Sequence, residues 1–227
     1  MSYKDFLLPE PMGEKDKVRK EEILHSRVKQ VDFDKIGNVA DLVEFFKTSS
    51  IQARNIGLCA DVFEKMLTDK ERPTIMLGLA GPLIAAGLRK VIRDMVHHGM
   101  MDVIVSTGAI LYQDFYAAMG GGHFRGTPNA SDGELKDLLI NRIYDTYIDE
   151  EKFADCDTVI AKFADGLEPR NYSSREFLEK LSETIDDEKS ILVAARKKGV
   201  PVFCPAINDS SIGIALTEHY IVARKAG

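Results

Sequence analysis

Between Thr74 and Ala109 apolar runs and chain breakers alternate in an order that few folds accommodate. Thr74-Ile75-Met76-Leu77-Gly78-Leu79 is a short apolar run that stops at Ala80-Gly81-Pro82, as a buried strand ending in a turn would. Beyond the turn, Ile84, Leu88, Val91, Ile92, Met95 and Val96 recur at helical spacing, with Arg89, Lys90, Arg93, Asp94 and His97 on the opposite, wet side. Pro82 suits a first helical turn and Gly99 a left-handed stop. Asp102-Val103-Ile104-Val105 then reads as a second strand, closed by Ser106-Thr107-Gly108-Ala109. The pattern predicts a βαβ unit and therefore an α/β fold with a parallel sheet.

Parallel strands leave a crevice beyond their carboxyl ends, where helix amino termini present free amides, and a phosphorylated cofactor is its natural occupant. Gly78, Gly81 and Gly87 do not make the G-x-G-x-x-G spacing, and no acidic residue closes the second strand. On spacing alone a buried βαβ unit with no ligand is an equal reading.

With 227 residues, 44% of them hydrophobic, the chain has the length and composition to bury a full core. A formal charge of −6 gives no footprint for nucleic acid. Cys59, Cys156 and Cys204 lack CxxC or His spacing, so they are expected to be reduced and structural, which fits a cytoplasmic protein. No apolar run approaches the roughly 20 residues needed to span a membrane, and the charged start has no signal-peptide core.

Residues 1–30 read as a Lys- and Glu-rich arm, either packed on a neighbouring subunit or disordered, and residues 31–227 as one domain. Asn38 is placed to cap a helix carrying Val39, Leu42, Val43 and Phe46, and a longer helix follows with Ile56, Val62 and Phe63 on one face. Helix is expected again through Gln113 to Ala118, broken by Gly120-Gly121-Gly122, a run that suits an anion nest less well than a helix stop. Ser131 with Glu134, and Ser173 with Glu176, make capping boxes, the first for a helix through Leu135, Leu138 and Leu139 that ends near Asn141-Arg142-Ile143. Another helix is expected around Phe153 to Phe163, and one from Ile191 to a stop at Gly199. Val200 to Cys204 is a third strand, and Asp209 in the loop after it would either accept hydrogen bonds from a ligand or cap the helix from Ile212 onward. No Ser/His/Asp set, metal cluster or P-loop is present in the sequence; His97 and His98 read as solvated histidines that satisfy the dipole at a helix end, and His123 and His219 as structural.

Several stretches together resemble the deoxyhypusine synthases, most closely their bacterial deoxyhypusine-synthase-like branch. They include Ser50-Ile51-Gln52-Ala53-Arg54-Asn55, Leu79-Ala80-Gly81-Pro82-Leu83-Ile84-Ala85-Ala86-Gly87-Leu88-Arg89, Met101 to Ala109, Asn141 to Asp145, Leu167-Glu168-Pro169-Arg170 with Tyr172 to Glu176, and Val202 to Ala206. The resemblance implies a Rossmann-like, doubly wound, mostly parallel sheet and a homotetramer with NAD at subunit interfaces. It also implies transfer of an aminobutyl group from spermidine, or a related group from another polyamine, to the lysine of the hypusine-bearing translation factor or to a small amine. Carried over by position, it implies NAD contacts at Gly81, Pro82, Leu83, Ile84 and Ala85, at Thr107, Gly108 and Ala109, and at Gln113 and Asp209, with substrate contacts at Tyr112, Gln113 and Ile214. No metal is implied.

The chain departs from the family's pattern at several of these positions. A family glutamate is Gln113 here, the polyamine-facing carboxylate five residues after Asp209 is Ile214, and Gly81-Pro82 replaces the Ser-Asn of eukaryotic members. An uncharged Ile214 cannot pair an ammonium group. The lysine that carries the aminobutyl group is expected beyond residue 227, and Lys162, Lys198 and Lys225 match no such motif. The resemblance thus leaves a transferase of alkyl groups beside a catalytically silent NAD-binding subunit of a mixed tetramer with a paralogue, or a truncated inactive form.

Overall fold

The computed structural model describes residues 12–226, which fall into two compact units divided after Arg72. In the first unit, α1 (Glu14–Ile23) buries no residue. It lies within the stretch expected as an arm, whose first eleven residues fall outside the described ones. Helix α2 (Val39–Lys47) starts in a reciprocal box, the Asn38 side chain accepting from the Asp41 amide at 3.0 Å and Asp41 Oδ2 from the Asn38 amide at 3.1 Å. Helix α3 (Ile51–Thr68) packs on α2 through Gly57, where a Cβ would stand 2.5 Å from the Lys47 nitrogen.

The second unit runs β1 (Met76–Leu79), α4 (Arg89–His97), β2 (Val103–Ser106), α5 (Gly108–Ala118) and β3 (His123–Arg125). It continues through α6 (Asp132–Asp137), β4 (Ile140–Ile143), β5 (Thr146–Asp149), α7 (Glu150–Asp165), α8 (Ser174–Glu183), α9 (Ile191–Lys198), β6 (Val202–Phe203) and α10 (Ser211–Ala226). β1, β2 and β6 form a parallel sheet in the order β1-β2-β6, with Leu79 opposite Ser106 and Ile104 opposite Val202. All three strands therefore end on the same side, as the βαβ pattern requires.

Helix α5 is the core of this unit. Ile110, Leu111, Tyr112, Phe115 and Tyr116 are each at most 1% exposed, and burial of such side chains contributes roughly 1.5–3 kcal/mol apiece. A helix apolar on every side is one enclosed by others, here α7, α9 and α10.

Three expectations need correction. The helix expected from Pro82 begins at Arg89, because Gly81 and Gly87 adopt φ of 79° and 87° and curl residues 81–88 into a turn closed by the Leu88 amide on Leu83 O at 3.0 Å. Arg89, assigned to the wet face, turns inward with its side chain 15% exposed, whereas Val91, assigned to the core, is 53% exposed. The helix expected to run to Asn141 stops at Asp137, and an antiparallel sheet of order β3-β5-β4 follows. Leu139 at φ 54° and Tyr144 at φ 55° make the two reversals that replace the helix.

Candidate functional site

The carboxyl ends of β1 and β2 and the loop after β6 converge on the amino terminus of α5. Thr107 precedes that helix without a side-chain cap, and among the described residues no side chain takes the first helical amides. Gly108 is fixed there by packing, since a Cβ would collide with the Ser210 side chain. Two clefts flank this point. One, about 750 Å³, is lined by Leu79, Ala80, Ser106, Thr107, Gly108 and Asp209 among others, and the second, about 680 Å³, by Ala109, Tyr112, Gln113, Phe153, Asp209 and Ile214.

Asp209 is common to both. Its carboxylate accepts no hydrogen bond from the described residues, so the helix-cap reading does not hold. Its backbone is set by a turn in which its amide donates to Ala206 O at 2.9 Å. An exposed, unengaged carboxylate across from uncapped helical amides can accept hydroxyl donors while those amides receive an anion.

Gln113, only 6% exposed, accepts from the Ala85 amide through Oε1 at 3.2 Å and so ties the 81–88 turn to α5. Gly81 to Ala85 line neither cleft, and of that stretch only Ala85 is joined to α5 in this way. Tyr112 is 1% exposed; its hydroxyl contacts Asp157 Oδ1 at 2.5 Å and Phe153 O at 2.8 Å, and its ring packs edge-on to Phe153. Burial, and then the Asp157 carboxylate, push the phenol well above its ordinary value. Burial likewise raises Asp157, against the lowering effect of the Tyr112 hydroxyl, and Glu218 and Glu150 add to the rise. Ile214 is 62% exposed at the rim, where it offers apolar surface and no charge.

Behind these residues the fully buried Asp114 accepts from Arg89 Nε at 2.7 Å, Ser190 Oγ at 2.8 Å and the Ile191 amide at 2.9 Å. Arg89 also reaches Asp187 at 2.8 Å. This network locks α5 to the start of α9. Sequence reasoning missed it, because an Asp inside an apolar run and an Arg on a polar face look unrelated. It also missed Phe153, Asn208, Ser210 and Ser211 as cleft residues, of which only Phe153 carried a signal, as a helical apolar position.

Among the described residues no cluster of His, Cys, Asp and Glu could hold a metal ion, and Cys59, Cys156 and Cys204 are free thiols. No helix among them is long and apolar enough to cross a membrane.

Comparison with known proteins matches residues 41–226 to the family described as deoxyhypusine synthase. The chain is 44% identical over 211 residues to a deoxyhypusine synthase-like protein of Chlorobaculum parvum, covering 91% of this chain and 60% of that protein. It is 37% identical over 194 residues to a probable deoxyhypusine synthase 2 of Methanosarcina mazei, covering 84% and 55%. The chain thus spans little more than half the length of these relatives. A crystal structure of a putative deoxyhypusine synthase from Entamoeba histolytica shares the fold, with a TM-score of 0.64 at 24% identity over 86% of this chain and 68% of that one.

Proposed function

Because the chain belongs to the deoxyhypusine synthase family, we propose that its paired clefts hold NAD and a polyamine and serve the NAD-dependent transfer of an aminobutyl or related group to a protein lysine or small amine. The observation that carries this reading is convergence. Thr107, Gly108, Ala109, Tyr112, Gln113 and Ile214, spread along the sequence, all line clefts that share Asp209.

The uncapped amides at the start of α5 would take the cofactor's pyrophosphate and Asp209 its ribose hydroxyls. When bound, NAD supplies the oxidation and reduction that such a transfer requires. Gln113 lines one cleft and ties the 81–88 turn to α5 behind it, and Tyr112, Phe153 and Ile214 form an apolar wall that would exclude water from the polyamine's methylenes. The assembly would be a homotetramer or a mixed tetramer with a paralogue.

A second reading is an NAD-binding regulatory subunit of a mixed tetramer, in which these clefts hold the cofactor without turnover. Calorimetric titration with NAD tests the common premise. Saturable binding that weakens at least about tenfold in Asp209→Ala is expected, since hydrogen bonds to a charged group are worth about 1.5–3 kcal/mol. No binding to the unaltered chain, or none lost in Asp209→Ala, overturns it. Intact mass after incubation with NAD and spermidine then separates the readings, a covalent adduct on this chain belonging only to the transferase.

A further inference from the structure

The run Gly120-Gly121-Gly122 and the His123 that follows it lie outside both clefts. Gly120, at φ 86°, turns the chain back over the end of α5, and a Cβ at Gly121 would stand 2.3 Å from the Tyr116 ring. The Tyr116 hydroxyl donates to Gly122 O at 3.1 Å, and the His123 imidazole meets the Tyr116 ring edge-on at 5.6 Å between centroids. This loop and the first residue of β3 thus cover Tyr116, which is fully buried. Tyr116 packs at 5.0 Å on Phe153, and Phe153 at 4.5 Å on Tyr112. Phe153 and Tyr112 line the second cleft, so a continuous row of rings leads from His123 to the cleft wall.

The His123 Nε2 is buried and has no hydrogen-bond partner among the described residues. Whichever nitrogen holds the proton of the neutral ring, the charged ring carries two, and Nε2–H then has no acceptor. The charged groups on the surrounding elements do not compensate. Arg89 of α4 opposes a second cation, and its partners Asp114 and Asp187 are already engaged with it. Asp149, at the end of β5, accepts the Glu151 and Lys152 amides, and Asp157 of α7 contacts the Tyr112 hydroxyl. The Cys156 thiol of α7, pushed up to about 11 by burial, is neutral. Ile148, opposite His123 in the ladder, is apolar, and Arg125 at the other end of β3 is exposed. The Tyr116 ring attracts a cation at its face, which does not offset both an unmet buried donor and the like charge of Arg89.

We propose that His123 is an acid-released latch on the cleft: the neutral ring holds β3 and the 120–122 loop over Tyr116, and protonation lifts them and loosens the row of rings that ends in Phe153 and Tyr112. Burial, and then Arg89, hold His123 below the ordinary histidine value. The contribution of the closed form is fully present above the unfolded value and is lost as pH falls through the folded one. Release is local because β3 has three residues and, among the described strands, pairs with β5 alone. The device rests on packing, whatever the clefts bind.

NMR of the full chain, titrated from above neutrality into the acid range, tests it. The His123 ring is expected to titrate below the exposed His97 and His98 rings of the same spectrum. The Phe124 and Tyr147 amides, opposite each other in β3 and β5, and the Phe153 ring are expected to shift with the His123 midpoint, while Ile104 of the parallel sheet does not. His123→Phe, which keeps a ring against Tyr116 without a nitrogen, is expected to lose this response and hold β3 in place across the range. His123→Gln, neutral throughout, should lose it as well. A His123 midpoint at or above those of His97 and His98 overturns the proposal. So do Phe124 and Tyr147 amides that stay unmoved while His123 titrates, an Ile104 shift at the same midpoint, which is global unfolding, or an acid response that survives in either folded variant.

Discussion

Asp114 and Arg89 meet at 2.7 Å beneath the candidate site, one carboxylate oxygen with the guanidinium Nε, while the same carboxylate receives the Ile191 and Leu192 amides at 2.9 and 3.2 Å. One buried charge therefore fixes the start of α4, α5 and the start of α9 together. Asp114→Ala leaves Arg89 Nε and two helical amides without their acceptor. Breaking a buried pair by removing one partner costs about 3–5 kcal/mol. Chemical unfolding should show a loss of that order, and a loss below about 1 kcal/mol would mean that the network does not hold these elements.

Gly108 and Ser210 are mutually exclusive with a Cβ at position 108. Gly108→Ala should cost about 1–3 kcal/mol as an overpacking change. The loop carrying Asp209 should shift with it and weaken the NAD binding proposed for these clefts. Removing the obstructing side chain in Gly108→Ala/Ser210→Gly should recover more than half of the lost stability in a double-mutant cycle. Failure to recover would place the cost in the helix start itself.

These two contacts also mark what the sequence did and did not disclose. The parallel βαβ unit was legible because Ile75, Leu79, Ile104 and Val96 fill a core whose periods differ between strand and helix. Helix α5 was only half legible: with residues 110–116 all buried, no polar side interrupts the pattern to reveal its period. The β3-β5-β4 sheet was hidden because its reversals use Leu139 and Tyr144 at positive φ, not the Asn-Gly or Asp-Gly pairs that signal a hairpin, and because Leu135, Leu138 and Leu139 keep helical spacing. The cleft residues Thr107, Gly108, Gln113 and Asp209 were found from strand ends and family resemblance. The ties between them depend on contacts across many residues that no local pattern encodes.

Asp157 should impose a pH dependence on stability. Its folded value lies above the ordinary aspartate value, with burial the largest cause, so folding favours the protonated form. The favourable contribution is fully present below the unfolded value and is lost as pH rises through the folded one. Asp157→Asn should therefore gain stability relative to the unaltered chain as pH moves from the ordinary carboxylate range up to neutrality. Thermal unfolding of both proteins across that range checks it, and parallel pH profiles would refute it.

Tyr112→Phe removes the hydroxyl that contacts Asp157 and Phe153 O. The net loss should be about 1 kcal/mol, with a further rise in the Asp157 value, because the hydrogen bond that lowers it is gone. Carboxylate titration by NMR would show this as an upward move of the Asp157 midpoint. An unchanged midpoint would mean that the hydroxyl is engaged by Phe153 O instead.

Ile214 tests the chemistry of the cleft most directly. It is exposed at the rim beside Gln113 and Asp209, so an acidic replacement there needs no buried charge. Among the described residues Asp209 is the one carboxylate lining this cleft, so in the proposed reading a polyamine with two or more ammonium groups would find a partner there for one of them. Ile214→Asp should add a second, and a hydrogen bond to a charged group, worth about 1.5–3 kcal/mol, corresponds to about a tenfold or greater gain in spermidine affinity. Screening makes the gain salt-dependent, so it should shrink between low and physiological ionic strength. Calorimetry of spermidine with both proteins at two salt concentrations measures it. A gain that is absent at low salt would place the polyamine elsewhere, and a gain that persists unchanged at high salt would point to a packing effect of the smaller side chain rather than to a paired ammonium.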